Sequence, residues 1–222
     1  MREAIMLDRD SLAIRHAAST DEGRYQINCV KIDEKQSVAT NGSIMAVCRH
    51  PEFSPLDYPA GTYATATLAD ALIPLDALDR ADKAIPKKSH IPILATARIA
   101  LGDTCELVAG DIGSPSKIET RRIDGSFPDW QRMWPRTEPT MIVTFDLALL
   151  NQLVKSAGPS AKGKLITLGL TDAKSVMQVL INDVESRWRG ILMPCSTSRH
   201  TTASFALPVD TVPKEVVTEA TA

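Results

Sequence analysis

A chain of 222 residues can bury a sizeable core, as one large domain or two small ones. Its 44% apolar content marks globular protein, and a net charge of −2 excludes the strongly basic balance of a protein that holds nucleic acid by charge alone. Cys29, Cys48, Cys105 and Cys195 are widely spaced with no CxxC pair, which reads as reduced thiols and not as a disulfide framework. The N-terminus shows no basic region followed by an apolar run. No apolar stretch approaches the ~20 residues of a membrane span. The expectation is a soluble, cytoplasmic protein.

The elements recur in one order. A short apolar strand is predicted at residues 4–7, and Asp8 or Asp10 offers a helix N-cap. A helix over 11–18 follows, with Leu12, Ala13, His16 and Ala17 at helical spacing. Residues 25–32, 36–40 and 43–49 read as strands. Asn41-Gly42 between the last two is the strongest hairpin signal in the chain. The second round opens with a strand at 62–68. A helix over 75–85 carries Leu75, Leu78, Asp82 and Ile85 on neighbouring turns, with Pro74 suited to its first position. Strands are predicted at 95–101, 106–109 and 116–122. The third round opens with a strand at 141–145. Asp146 caps a helix whose Leu147, Leu150, Leu153, Val154 and Ala157 form an apolar stripe, and Gly158-Pro159 stops it. Strands at 164–170, 175–181 and 186–192 complete it, and residues 202–209 could add one more. Beyond residue 210 the tail reads as mobile.

The pattern is βαβββ, three times. A helix backed by a sheet hides one face of each, and two such units side by side close a two-layer domain. The fold class is α+β, with helices on one face of antiparallel sheets.

Three segments stand out in sequence. The first is Val38-Ala39-Thr40-Asn41-Gly42-Ser43-Ile44-Met45-Ala46-Val47-Cys48. The second is Gly125-Ser126-Phe127-Pro128-Asp129-Trp130-Gln131-Arg132-Met133-Trp134-Pro135. The third is Arg189-Gly190-Ile191-Leu192-Met193-Pro194. Together, and in this order, they resemble the ATDGHRLA, G-x-FPD-[YW]-x-R-x-x-P and VVMPM segments of bacterial DNA sliding clamps, the β subunit of DNA polymerase III. The resemblance implies a DNA-clamp fold in shortened form. Residues 1–135 would form a complete clamp domain of two βαβββ units, 136–200 a third unit equal to half a domain, and 201–222 a partly disordered tail. Bacterial clamps carry six units per chain and close as dimers, so three units depart from the family.

The resemblance also implies a peptide-binding pocket. Its walls would be Thr40, Gly42, Ser43, Ile44 and Met45; Pro128, Arg132 and Met133; and Leu192, Met193 and Pro194. Apolar holes hold a peptide's anchors while a few polar groups set its direction, and methionines adapt to several partners. The family has His-Arg-Leu where this chain has Ser43-Ile44-Met45, so this wall is more apolar. Clamp helices touch duplex DNA through phosphates without reading sequence. The matching candidates are Arg9 and Arg15; Arg24, Tyr25 and Gln26; Arg80, Lys83, Lys87 and Lys88; and Lys155, Lys162 and Lys164.

The function implied is a DNA sliding clamp, a processivity factor in replication. It would encircle duplex DNA and tether a DNA polymerase, and a clamp loader would open the ring through short peptide motifs. The unit count points to a homo-oligomeric ring, a tetramer by arithmetic. An alternative is a clamp-fold module that forms no ring and sequesters clamp-binding peptides. A third is a thiol enzyme or hydrolase built on Cys48 and His50. The sequence has no P-loop, GxSxG, GxGxxG or paired metal-ligand spacing, so no enzyme activity, metal or cofactor is expected.

Overall fold

The computed structural model describes residues 4–51, 66–87, 92–111, 114–135, 137, 139–158, 165–181 and 188–195. Two compact bodies divide the chain, Met1–Met133 and Trp134–Ala222.

In the first body, β1 (Ile5–Asp8) runs directly into α1 (Arg9–Ala13), which a 3-10 turn, Ile14–Ala17, extends. Asp8 is the cap: its carboxylate accepts from the Ser11 amide at 2.8 Å, satisfying a donor left free by the first helical turn. Three strands follow, β2 (Cys29–Asp33), β3 (Gln36–Thr40) and β4 (Met45–Arg49). The strand predicted from residue 25 starts at Cys29 instead. Residues 25–28 turn, with Ile27 and Asn28 amides both donating to the Arg24 carbonyl.

The second repeat is β5 (Asp70–Pro74), α2 (Leu75–Ala84), β6 (Thr96–Ala100), β7 (Thr104–Asp111) and β8 (Ser114–Arg121), and a short α3 (Trp130–Met133) closes the body. The strand predicted at 62–68 is displaced: β5 abuts α2, as β1 abuts α1. Residues 62–65 lie outside the described residues. The displacement follows from Ala71-Leu72-Ile73, the apolar run that the body buries. Pro74 is the N-cap of α2 and not its first residue, because its ψ of 144° is still extended.

The two repeats exchange their first strands. The sheets run β1-β6-β7-β8 and β4-β3-β2-β5, with antiparallel pairing throughout. Leu7 lies opposite Ala97, and Ile73 opposite Val30. One core joins both sheets to both helices, with Leu7, Leu12, Val30, Ile73, Leu78, Ile99 and Leu107 all fully buried. Neither repeat has a complete sheet without the other.

The second body holds α4 (Leu147–Ser156) and the sheet β11-β10-β9, from β9 (Ile166–Gly169), β10 (Met177–Ile181) and β11 (Arg189–Leu192). Asp146 caps α4, accepting from Ala148 and Leu149 amides at 2.7 and 3.3 Å. The core is small: Met177, Val179 and Leu192, with Phe145, Leu150, Leu153 and Trp188 against it. Two expectations need correction. Residues 141–145 form no strand. The helical stripe is only partly used, since Leu147 is 78% exposed. Both have one physical cause: in the first body such a strand and such a helix face are covered by the companion repeat. The strand predicted at 202–209 lies outside the described residues.

Candidate functional site

The first candidate wall is the turn from β3 to β4. Thr40, buried, donates its hydroxyl to the Ile44 carbonyl and accepts from the Gly42 amide at 3.1 Å. The Asn41 side chain accepts from the Ser43 and Ile44 amides at 2.8 and 3.0 Å. This network ties down the backbone, as Asx turns do. Gly42 has φ +92°, a conformation open mainly to glycine. A Cβ there would also meet the Arg24 guanidinium at 3.3 Å. Ser43 and Ile44 are exposed and Met45 is half-buried.

The second wall is residues 125–133. The Ile123 amide donates to the Leu72 carbonyl at 2.8 Å, fixing where the chain leaves β8. Trp130 is buried and anchors α3. Pro128 is half-buried, while Arg132 and Met133 face solvent. Asp129 pairs with the Arg132 guanidinium at 2.9 Å and orients it.

Arg24, Tyr25 and Gln26 lie between these two walls. Arg24 donates to the Asn41 carbonyl at 3.2 Å. Tyr25 packs beside Gly125, where a Cβ would meet its ring at 3.3 Å. So the Arg24–Gln26 loop links the β3–β4 turn to the 125–133 segment. Nothing in the local sequence could pair Arg24 with Asn41, or Tyr25 with Gly125.

The third candidate segment, 189–194, belongs to the second body. Side chains on a strand alternate between faces. Leu192 turns into the core of its body at 5% exposure, so it is a packing residue. The outward pair is Ile191 and Met193, at 65% and 59%. Ile191 was absent from the sequence-based candidates. Period-two alternation around a buried Leu192 is the signal that finds it. Pro194 is half-buried.

The candidate DNA-facing cations are mostly engaged within the protein. Arg15, 10% exposed, pairs with Asp82 at 2.9 Å and Asp79 at 3.5 Å. Arg9 pairs with Asp82 at 3.0 Å and donates to the Ile85 carbonyl at 2.8 Å. Arg80 pairs with Asp76 and Lys83 with Asp79, each one helical turn away. Against Arg80 and Lys83, α2 carries Asp76, Asp79 and Asp82. Lys87 and Lys155 are exposed. Lys88, Lys162 and Lys164 lie outside the described residues.

Cys48 and His50 form no reactive pair. The buried His50 ring bonds the Ser37 hydroxyl through Nε2 at 2.8 Å. Burial pushes its pKa down to about 4, against weaker opposing effects of Asp33, Glu34 and Asp8. The Cys48 thiol is raised above its ordinary value, chiefly by burial. A thiol so placed is a poor nucleophile.

No protein-family model matches this sequence, and neither does any curated protein. Solved structures do match. The C. crescentus beta sliding clamp is 18% identical, with a TM-score of 0.58, covering 86% of this chain and 50% of that one. DNA polymerase III subunit beta from Borrelia burgdorferi is 17% identical at a TM-score of 0.61, covering 86% and 48%. The beta subunit from the Streptococcus pyogenes DNA polymerase is 18% identical at 0.60, covering 88% and 51%. The chain has the sliding-clamp fold and spans about half the length of these clamps.

Proposed function

We propose that this chain is a shortened DNA sliding clamp, a processivity factor that tethers a polymerase to duplex DNA through a peptide pocket. The observation carrying this reading is the braced pair of walls in the first body. Arg24 holds the Thr40–Met45 turn, and Tyr25 meets the segment that presents Pro128, Arg132 and Met133. A short extended or turn-forming peptide from a polymerase or loader, with apolar anchors, is the ligand class this chemistry fits.

A clamp holds DNA by topology, so its cations need not grip. Cations already paired with aspartates give a phosphate a weak, exchangeable contact, which suits sliding. The ring would be a homo-oligomer, a tetramer by the unit count, in the cytoplasm.

Two measurements test this. The protein is loaded on nicked circular DNA, and the circle is then cut; a clamp stays on the circle and is lost from the linear form. Separately, Met45→Ala with Met133→Ala, both in the first body, should weaken binding of a polymerase-tail peptide by about tenfold or more, two thioether contacts being lost. Unchanged affinity would sink the pocket. A second reading has its own support: the acid-paired face of α2 suits a non-ring module that sequesters clamp-binding peptides. That module would bind the peptide and show equal loss from circular and linear DNA.

A further inference from the structure

In the first body, the first strand of each repeat lies on the edge of the other repeat's sheet: β1 on β6, and β5 on β2. Among the described residues, the third repeat has its helix and three strands without that companion. Its β9 corresponds to β2 and β6, yet no described strand covers its outer edge. The consequence is visible in burial. Val30, Ile32, Ala97 and Ile99 are at most 1% exposed, whereas Ile166 and Leu168 are 45% and 49% exposed.

Residues 141–145 correspond to β1 and β5, and they are already held in place. The Cys195 amide donates to the Thr144 carbonyl at 2.7 Å, as the Ile123 amide does to the Leu72 carbonyl at 2.8 Å. Thr144 and Leu72 each stand two residues before a helix N-cap, Asp146 and Pro74. Phe145 packs on the core of its body, as Ile73 does in the first. So this segment sits where a first strand sits, beside the chain that leaves β11. The open edge is β9, at the other side of the same sheet. The segment cannot stay there and also cover β9.

We infer that a second copy of this chain completes the second body, each copy's residues 141–145 forming the missing edge strand on the other's β9. One two-fold operation satisfies both open edges at once, which is the economy of an isologous contact. The pairing gives the proposed homo-oligomer one of its contacts, and in that use it rests on the clamp reading.

The helices agree. In the first body Arg9, first residue of α1, meets Asp82, eighth residue of α2. The first and eighth residues of α4 are Leu147 and Val154. Two different helices can carry complementary charges; two identical ones fit well with apolar groups at both positions. That gives the 78% exposed Leu147 a partner.

The register follows from the same template. In the first body the residue before the cap faces the first core-directed residue of the edge strand: Leu7 faces Ala97, and Ile73 faces Val30. In β9 that residue is Ile166, which shares a face with Leu168, the partner of buried Val179. Phe145 of one copy then lies opposite Ile166 of the other, and Thr144 opposite Thr167.

The test uses the full chain with Thr144→Cys, Thr167→Cys and Cys195→Ser, the last removing an exposed thiol beside Thr144. Mild oxidation should give a covalent dimer on a non-reducing gel, and neither variant carrying only one of the two introduced cysteines should. Light scattering should show an even-numbered oligomer for the unmodified chain. Leu147→Glu, at a position exposed within its own copy, should raise the dissociation constant at least about tenfold. A chain that stays monomeric up to about 100 μM would overturn the inference. So would a disulfide formed only within one chain, the result expected if a chain's own residues 141–145 moved onto its β9, or no disulfide at all, the result expected if the tail covers β9. So would an oligomer indifferent to both changes. A captured dimer lost equally from circular and linear DNA would leave this pairing standing and sink the clamp reading. An oligomer kept on circular DNA but blind to these variants would do the reverse.

Discussion

Asp82→Asn is the sharpest probe of the first body. Asp82 receives Arg9 at 3.0 Å and Arg15 at 2.9 Å, so one carboxylate ties α1 to α2. The Arg9 pair is open to solvent, 41% exposed on the arginine side, and should be worth about 0.5 kcal/mol. The Arg15 pair is deeper, at 10% and 23%, and a charge-assisted bond there should contribute about 1.5 kcal/mol. Asp79 remains 3.5 Å from Arg15, so the larger penalty for a stranded buried charge does not apply. The expected loss is about 2 kcal/mol, or about 8 °C in Tm for a body of this size. Thermal unfolding followed by circular dichroism checks it. A double-mutant cycle with Arg15→Gln should return most of that 1.5 kcal/mol as coupling. The loss should persist largely at about 1 M salt, since the Arg15 pair is shielded from ions. A Tm shift under about 2 °C, or zero coupling, would mean that apolar packing alone holds the helices and that the ion pairs contribute nothing to stability.

Two further outcomes follow from single positions. His50 is held neutral, with its pKa lowered to about 4, so the unfolded chain takes up a proton near pH 6.5 while the folded one does not. Stability present above pH 6.5 is therefore lost progressively as pH falls toward about 4, by up to about 3 kcal/mol. Urea titrations across that range should show the loss, and His50→Gln should flatten it; an equal slope in the variant would refute the assignment. Gly42→Ala puts a Cβ at φ +92° and 3.3 Å from Arg24, which should cost about 1–2 kcal/mol. Displacing Arg24 should also weaken peptide binding, and calorimetry giving wild-type affinity would show that the brace is irrelevant to the pocket.

The sequence was most legible where one residue's chemistry acts on its neighbours. Asp146 capping α4, Asn41-Gly42 turning between β3 and β4, and the hairpin pairs β6-β7 and β7-β8 all depend on contacts within a few positions. It was least legible at the first strand of the second and third repeats. The strand expected at 62–68 is β5 at Asp70–Pro74, and residues 141–145 form no strand. Such a strand is stabilised by a sheet dozens of residues away, and local propensity carries no information about whether that sheet exists.

The candidate site divides the same way. Motif spacing located the Thr40–Met45 turn and the 125–133 segment, because turn chemistry and an aromatic anchor are written in adjacent residues. Which face Leu192 takes was decided by packing against Met177 and Val179. That Arg15 spends its charge on Asp79 and Asp82, far along the chain, was likewise invisible until α1 met α2. By itself the sequence determined the βαβββ order of the first two repeats, the Asp146 cap and the Asn41-Gly42 turn, all short-range matters of backbone geometry and side-chain hydrogen bonding. Tertiary structure alone decided strand exchange, the pairing of charges and the exposure of β9, because burial is a property of what the rest of the chain brings to a surface.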